Sequence, residues 1–290
     1  MCETGSIVRA GERAALAPSA ISKRLALLDE QMGVALFTRR RHGMQATAAG
    51  EALLQHTREL MQAATRLERD MASHASGVRG VLRIWASASA LSESLADDVA
   101  EFLSVAAHRN VQVDIEERVS PDIVRGVREG AAALGVCWDA TPAAPLATRP
   151  YRRDELCLAV PVGHALARRR SVRFADILAH EQVSLPAGSA VQVLMQREAA
   201  LLGHSLRPRV VVSSFESALR VVRAGLAVSV VPREIAAAHA KTLRVALVRL
   251  AEPWAKRRFV ICHRDDAALS PAARLLVDHL SAKASDHART

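Results

Sequence analysis

Between residues 18 and 33 apolar side chains return at Ile21, Leu25, Leu28 and Met32, the i, i+4, i+7, i+11 spacing of one helical face. Pro18 suits a first helical position, where its missing N–H would have had no partner, and Gly33 supplies a stop. Upstream, Ser6 can cap a shorter helix running through Arg13, so residues 6 to 33 predict two helices joined by a tight turn. From Thr47 a longer helical pattern runs to about Ser73, with Leu53, Leu60 and Leu67 one heptad apart and Ala64 and Met71 partly filling the positions between. Such a stripe, on a helix ~40 Å long, needs cover, either a partner helix or packing against its own chain.

Ser76-Gly77-Val78-Arg79-Gly80 ends that pattern, and strands then alternate with helices. Val81 to Ala86, Val111 to Ile115 and Leu134 to Cys137 read as strands around helices at Ser92 to Ala106 and Pro121 to Glu129. A second series has strands at Leu156 to Val160, Val183 to Leu185, Val210 to Val212 and Val228 to Val231, with helices at Ala190 to Leu202 and Glu216 to Ala224. Two α/β lobes, each with a mostly parallel sheet, are the economical solution.

Length and composition agree with several units rather than one. The 290 residues exceed the usual size of a single domain, half are hydrophobic, and the nine aromatics leave the core to aliphatic packing. The net charge of +9 invites a nucleic-acid partner, yet the first eighty residues hold eleven basic against eight acidic side chains, so global charge does not locate the contact. Cys2, Cys137, Cys157 and Cys262 lie far apart and read as buried reduced thiols. No apolar leader opens the sequence and no apolar run has the length of a membrane span, so a cytoplasmic protein without membrane partners is expected.

Candidate chemistry falls in two places. The face of the second helix opposite the apolar stripe carries Ser19, Ser22, Lys23 and Ala26, small and polar side chains that let a helix approach base edges in a major groove. Thr38-Arg39-Arg40-Arg41-His42-Gly43 is a basic turn that could touch phosphates, or an ordinary solvated arginine run. Farther on, Ser87 and Ser89, Ser120, Ser189, and Ser213 with Ser214 all follow strands and open helices, where free N–H groups favour polar or anionic ligands. Each serine taken alone is also a plain N-cap, and their joint placement is the stronger signal. Catalytic and metal motifs are missing. There is no Gly-x-Ser-x-Gly elbow, no His-Glu-x-x-His and no phosphate loop; His180-Glu181 lacks a second histidine, and Cys262-His263 has no nearby ligand pair.

Gly5-Ser6-Ile7-Val8-Arg9-Ala10 with Leu16-Ala17-Pro18-Ser19-Ala20-Ile21-Ser22-Lys23-Arg24 resembles the helix-turn-helix of LysR-type transcriptional regulators. Gly33-Val34-Ala35-Leu36-Phe37-Thr38-Arg39 and Thr47-Ala48-Ala49-Gly50 resemble that family's wing and linker-helix start. The resemblance continues through Glu117-Arg118-Val119-Ser120, Leu185-Pro186-Ala187-Gly188-Ser189-Ala190, Ser213-Ser214-Phe215-Glu216 and Ala224-Gly225-Leu226-Ala227-Val228. It implies a further helix ahead of Gly5, and with it a start upstream of Met1. Ala17-Pro18-Ser19 stands where the family more often has Ser-Gln-Pro, which removes a side-chain N-cap and changes the base-reading atoms, and His42, Gln45 and Ala46 depart from the usual wing.

The expected architecture is therefore α+β and multidomain. A winged helix-turn-helix spans 1–50 and a linker and dimerisation helix 47–76. An effector domain of two α/β subdomains like a periplasmic binding protein spans 80–290, with lobe I at about 80–155 and 262–290 and lobe II at about 156–261. Pro18, Ser19, Ser22, Lys23 and Arg24 are expected at the major groove and Arg39, Arg40 and Arg41 at the backbone of double-stranded DNA. Ser87, Ser89, Ser120, Ser189, Ser213, Ser214 and Phe215 are expected around a small organic acid, with no metal, catalytic residue or cofactor. The further partners implied are other copies of the chain, as homodimer or tetramer, and RNA polymerase for an activator, with the protein held at the bacterial nucleoid. The competing reading is a ligand sensor without competent DNA binding.

Overall fold

The computed structural model describes residues 5–40, 43–57, 60, 61, 64 and 79–286. The chain divides into two units, one through Glu68 and one from Arg69. Arg41, His42, Leu67, Met71, Cys2 and the expected boundary at Ser76 to Val78 lie outside the described residues.

In the first unit, α1 (Ile7–Ala14) begins where Ser6 Oγ accepts from the Arg9 amide, and α2 (Pro18–Met32) begins at proline with no side-chain cap from Ala17. Gly33, at φ +69°, ends α2. Asp29 Oδ1 then accepts from the Leu36 amide at 2.9 Å, which aims the chain into the antiparallel hairpin β1 (Phe37–Arg40) and β2 (Gly43–Ala46). Thr47 closes the unit: its hydroxyl donates to Ala35 O at 2.8 Å and accepts from the Gly50 amide at 3.1 Å, capping the helical residues 48–57, α3. Gly50 lies so close to the hairpin that a Cβ there would sit 2.1 Å from Leu36 O.

The predicted α2 stripe is only partly covered. Met32 is exposed; Ile21, Leu25 and Leu28 are half-buried and with Leu36, Leu53 and Leu54 line an apolar cavity of about 520 Å³. Leu53, the first residue of the heptad series, thus faces its own unit, while Leu60 is 71% exposed.

The second unit is built on strands β3 (Arg79–Ala86), β4 (Asn110–Glu117), β5 (Leu134–Trp138) and the long β6 (Ala147–Pro161). Next come β7 (Ser171–Val172), β8 (Val183–Ser184), β9 (Val210–Val211), β10 (Ser229–Pro232), β11 (Val245–Leu250) and β12 (Lys256–His263). Helix α4 starts as one turn at Ala88–Ala90, widens through a π segment at Leu91–Leu95 and continues as Ala96–Ser104. The other helices are α5 (Ser120–Glu129), α6 (Phe174–Ile177), α7 (Ala190–Leu201), α8 (Phe215–Arg223), α9 (Arg233–Leu243) and α10 (Pro271–Asp286).

Lobe I has the strand order β4-β3-β5-β12-β6. Its sheet is covered on one face by α4 and α10 around Phe102, Leu276 and Leu280, and on the other by α5 through Ile123, Val124 and Val127. In lobe II the second half of β6 pairs with β10 and β11, over a core that includes Leu158, Leu194, Phe215 and Leu219. The expectation of mostly parallel sheets is corrected. Among the described residues β3 with β4 and β5, β8 with β9, and β11 with β7 run parallel, as does the isolated bridge between Gln182 and Val228; β12 is antiparallel to β5 and β6, as are β10 and β11 to β6. The physical reason is that β6 carries the chain out of lobe I and β12 carries it back, so the two run oppositely side by side. The return comes at Lys256, somewhat ahead of the expected residue 262, because β12 pairs with the lobe I half of β6 from that residue on.

Candidate effector cleft and DNA-reading face

In α2, Pro18, Ser19, Ser22 and Lys23 are all exposed, and at 100° per residue they share one side. Arg24 does not join them: the same rotation carries it away, and it lines the apolar cavity beside Ile21, Leu25 and Leu28. Arg39 and Arg40 lie on β1, and Arg41 is outside the described residues.

The second site lies between the lobes, a cavity of about 280 Å³. Four strand-to-helix junctions meet there. β3 leads through Ser87 into α4, β4 leads to Ser120 at the start of α5, the Leu185-to-Gly188 turn leads to Ser189 at the cap of α7, and Ser213 precedes α8. Backbone bonds fix the junctions in place: Ser87 N to Val136 O at 3.0 Å, Arg118 N to Ala86 O at 2.9 Å and Val212 N to Ser184 O at 3.0 Å. The pattern arises because each strand end passes its last amides to the neighbouring strand and the chain then turns into a helix whose first residues border the gap.

Ser87, Ser89, Ser120, Ser189, Ser213 and Phe215 all line the cavity. Ser214 does not. It caps α8, accepting from the Ser217 amide at 3.2 Å and donating to the Ser217 hydroxyl at 3.0 Å. Ser189 is both lining and cap, accepting from the Gln192 amide at 3.4 Å. Ser87 and Ser120 differ from both. They are 3% and 4% exposed, and neither hydroxyl has a hydrogen-bond partner among the described residues. A buried hydroxyl without a partner costs about 1–3 kcal/mol, and two in one cavity are what a polar ligand would satisfy.

Three charged side chains also line the cavity, and the sequence reading did not single them out. Arg118 pairs with Glu116 at 2.6 Å and lies 5.2 Å from the centre of the Trp85 ring; Asp122 pairs with Arg125 at 2.7 Å; the third is Glu117. Arg118 and the Leu185-Pro186 turn stood inside the stretches that carried the family resemblance, which was the available signal. Beneath the cleft, Glu93 in the π segment has its pKa pushed up to about 8, chiefly by burial, with Glu234 reinforcing and Arg257 and Arg152 opposing. Burial thus favours the protonated Glu93 carboxyl.

No group of three or more His, Cys, Asp or Glu that could hold a metal occurs among the described residues. Cys137, Cys157 and Cys262 are buried and free. No helix among the described residues is long and apolar enough to cross a membrane.

Residues 75–285 match the family model of the LysR substrate binding domain, and residues 1–51 match that of the bacterial regulatory helix-turn-helix protein, lysR family. The HTH-type transcriptional regulator CbbR of Xanthobacter flavus is 26% identical over 283 residues, covering 96% of this chain and 83% of that protein. Among solved structures, full-length CbnR complexed with its target DNA superposes with a TM-score of 0.70 at 22% identity, covering 98% of this chain and 96% of that one. The effector binding domain of QuiR in complex with shikimate superposes with a TM-score of 0.63 at 17% identity, covering 72% of this chain and 99% of that domain.

Proposed function

The chain belongs to the LysR family of transcriptional regulators, and we propose that it reads its operator with the exposed α2 face and answers to a small organic acid held between lobes I and II. It is a sequence-specific DNA-binding regulator with an effector-binding domain, and not an enzyme.

The observation that carries the effector reading is the pair of buried hydroxyls at Ser87 and Ser120, without partners among the described residues, set opposite Ser189 and Ser213 across a cavity sized for a small metabolite. Residues at the N-termini of α5, α7 and α8 line the same gap, and the positive end of a helix dipole favours a carboxylate over a neutral group. That QuiR is seen with shikimate, itself a small carboxylic acid, agrees with this class. Pro18, Ser19, Ser22 and Lys23 would meet base edges, and Arg39, Arg40 and Arg41 the phosphates.

Effector binding biases one arrangement of the lobes, and through it one arrangement of a homodimer or tetramer on DNA. No cofactor beyond the effector is required. The regulator works in the cytoplasm at the nucleoid, and in an activating role it would contact RNA polymerase.

A mobility shift on DNA flanking its own gene, across a salt series, tests the DNA half: retention should prefer that DNA over random sequence and fall steeply as salt rises. Equal retention of both DNAs at every salt concentration would leave only the sensor. Thermal shift of the full chain with a panel of small carboxylates and their amides tests the other half. Stabilisation should follow the carboxylates, and a response to the amides alone would reject the acid.

A further inference from the structure

We propose that Arg257 is a positioning residue of the effector cleft: from below the cleft floor it fixes the Ser89 hydroxyl as a hydrogen-bond donor, so that the cleft selects effectors presenting an acceptor, foremost a carboxylate, at that point. This rests on the reading of the cleft as the effector site.

Arg257 lies on β12 directly across from Asp154 on β6, next to the point where β6 passes from lobe I into lobe II. Both are buried, Arg257 at 2% and Asp154 at 6% exposure. One guanidinium nitrogen, Nη2, donates both to Asp154 Oδ2 and to Ser89 Oγ, the latter at 3.2 Å. A guanidinium has donors only, so the Ser89 oxygen is the acceptor in this contact and its own proton must be given elsewhere. Among the described residues the Ser89 hydroxyl makes no second hydrogen bond, and Ser89 lines the cleft. The proton therefore falls to whatever occupies the cleft. A hydroxyl already accepting from a cation is a strengthened donor, and it meets a carboxylate oxygen well and an amide NH2 badly.

Behind Ser89 the guanidinium has one carboxylate partner among the described residues, Asp154, which it meets through the same Nη2. Arg257 Nε and Nη1 have no partner among the described residues. Burial lowers the Arg257 pKa to about 10, which leaves the group charged at neutral pH. Asp154 holds the guanidinium in place, and the lobe crossover holds Asp154, so Ser89 is positioned by the same two strands that join the lobes.

The test places a titratable reporter at position 89. In the full chain, Ser89→Cys is compared with Ser89→Cys/Arg257→Lys and with Ser89→Cys/Asp154→Asn/Arg257→Met, a triple variant that leaves neither charge buried alone. Thiolate is read by ultraviolet absorbance across pH after subtracting the parent protein, and folding is checked by circular dichroism. With Arg257 present, the thiol pKa should fall about one unit or more below the ordinary value near 8.5; with lysine it should recover at least half of that drop; without charge it should rise to or above the ordinary value, because burial then acts unopposed. Equal thiol pKa values with and without the guanidinium overturn the proposal, and if the charge-free protein does not fold, the lysine variant decides it in the same way. Acetate should raise the pKa of the Ser89→Cys thiol where acetamide does not. A depressed thiol that ignores acetate overturns the carboxylate assignment while the Arg257 contact stands.

Discussion

Arg152 grips Asp98 through two hydrogen bonds, Nη2 to Oδ1 at 2.6 Å and Nε to Oδ2 at 2.8 Å, joining β6 to α4 inside lobe I. The Tyr151 hydroxyl donates to the same carboxylate, and the ring of His279, on α10, meets the Asp98 carbonyl at 3.0 Å. Burial alone would raise the Asp98 pKa, but the bonds from Arg152 and Tyr151 outweigh it and hold the carboxyl below its usual range. Asp98→Ala should therefore cost about 3–5 kcal/mol in urea unfolding, because it takes away the buried acceptor of the Tyr151 hydroxyl and of two Arg152 hydrogen bonds. A depressed folded pKa means the stabilisation is present above the unfolded carboxylate pKa and is lost as pH falls through the folded value. The wild type should lose this contribution only in strong acid, and Asp98→Ala should show no such acid limb.

Glu93 has the opposite sign. Its carboxyl is protonated in the folded chain up to about pH 8, against an ordinary value of 4.5. Stability should fall as pH rises through that window, by at most about 1.4 kcal/mol per unit, and level off above it. Glu93→Gln, neutral and of the same shape, should flatten the profile and unfold at higher urea than wild type at pH 8.

Ser87 and Ser120 separate stability from response. Replacing either by alanine removes a buried hydroxyl that has no partner among the described residues and should leave the melting temperature unchanged or raise it slightly. The same change should weaken effector binding roughly tenfold, one hydrogen bond to a charged group. A promoter reporter read beside a thermal melt would show both, and loss of response through unfolding would contradict the assignment.

On the DNA side, Lys23→Ala should lower the slope of log affinity against log salt by about one if the ammonium meets phosphate, and should relax sequence preference if it meets a base. Arg24→Ala should do neither and should instead lower the stability of the first unit, whose cavity it lines.

Gly126 is pressed against Trp85, where a Cβ would fall 2.0 Å from the ring. Gly126→Ala should destabilise lobe I by about 1–3 kcal/mol and shift tryptophan emission. The Arg118 guanidinium over that ring links the change to the cleft wall, so effector affinity should drop as well.

What could be read from the chain beforehand was local. The Ser6 cap, Pro18 at the first turn, the Gly33 stop and the serines that follow strands each depend on neighbours a few residues away, and six of the seven expected effector residues meet in one cavity. The crossing strands had no such signal. From Arg149 to Glu155, β6 reads as a charged run with no alternation, because pairing on its flank and the long-range partners of Arg152 and Asp154 replace an apolar face. β12 does carry a short apolar run, Phe259 to Cys262, but Arg257 sits in the charged half before it, where nothing local marks a buried position. Ser214 and Arg24 were grouped by sequence proximity, where one residue along a helix or cap turns the side chain elsewhere.

Lobe II leaves lobe I on β6 and re-enters on β12, two antiparallel neighbours in one sheet. In topological terms it is a single detour between adjacent strands, threaded through nothing. Cuts after Glu155 and before Lys256 would excise it as a cassette, and a chimaera that grafts another regulator's second lobe between those points would keep the lobe I sheet and its serines. Half of the sensor's chemistry could then be exchanged while the other half, Ser87, Ser89 and Ser120, stays in its native frame.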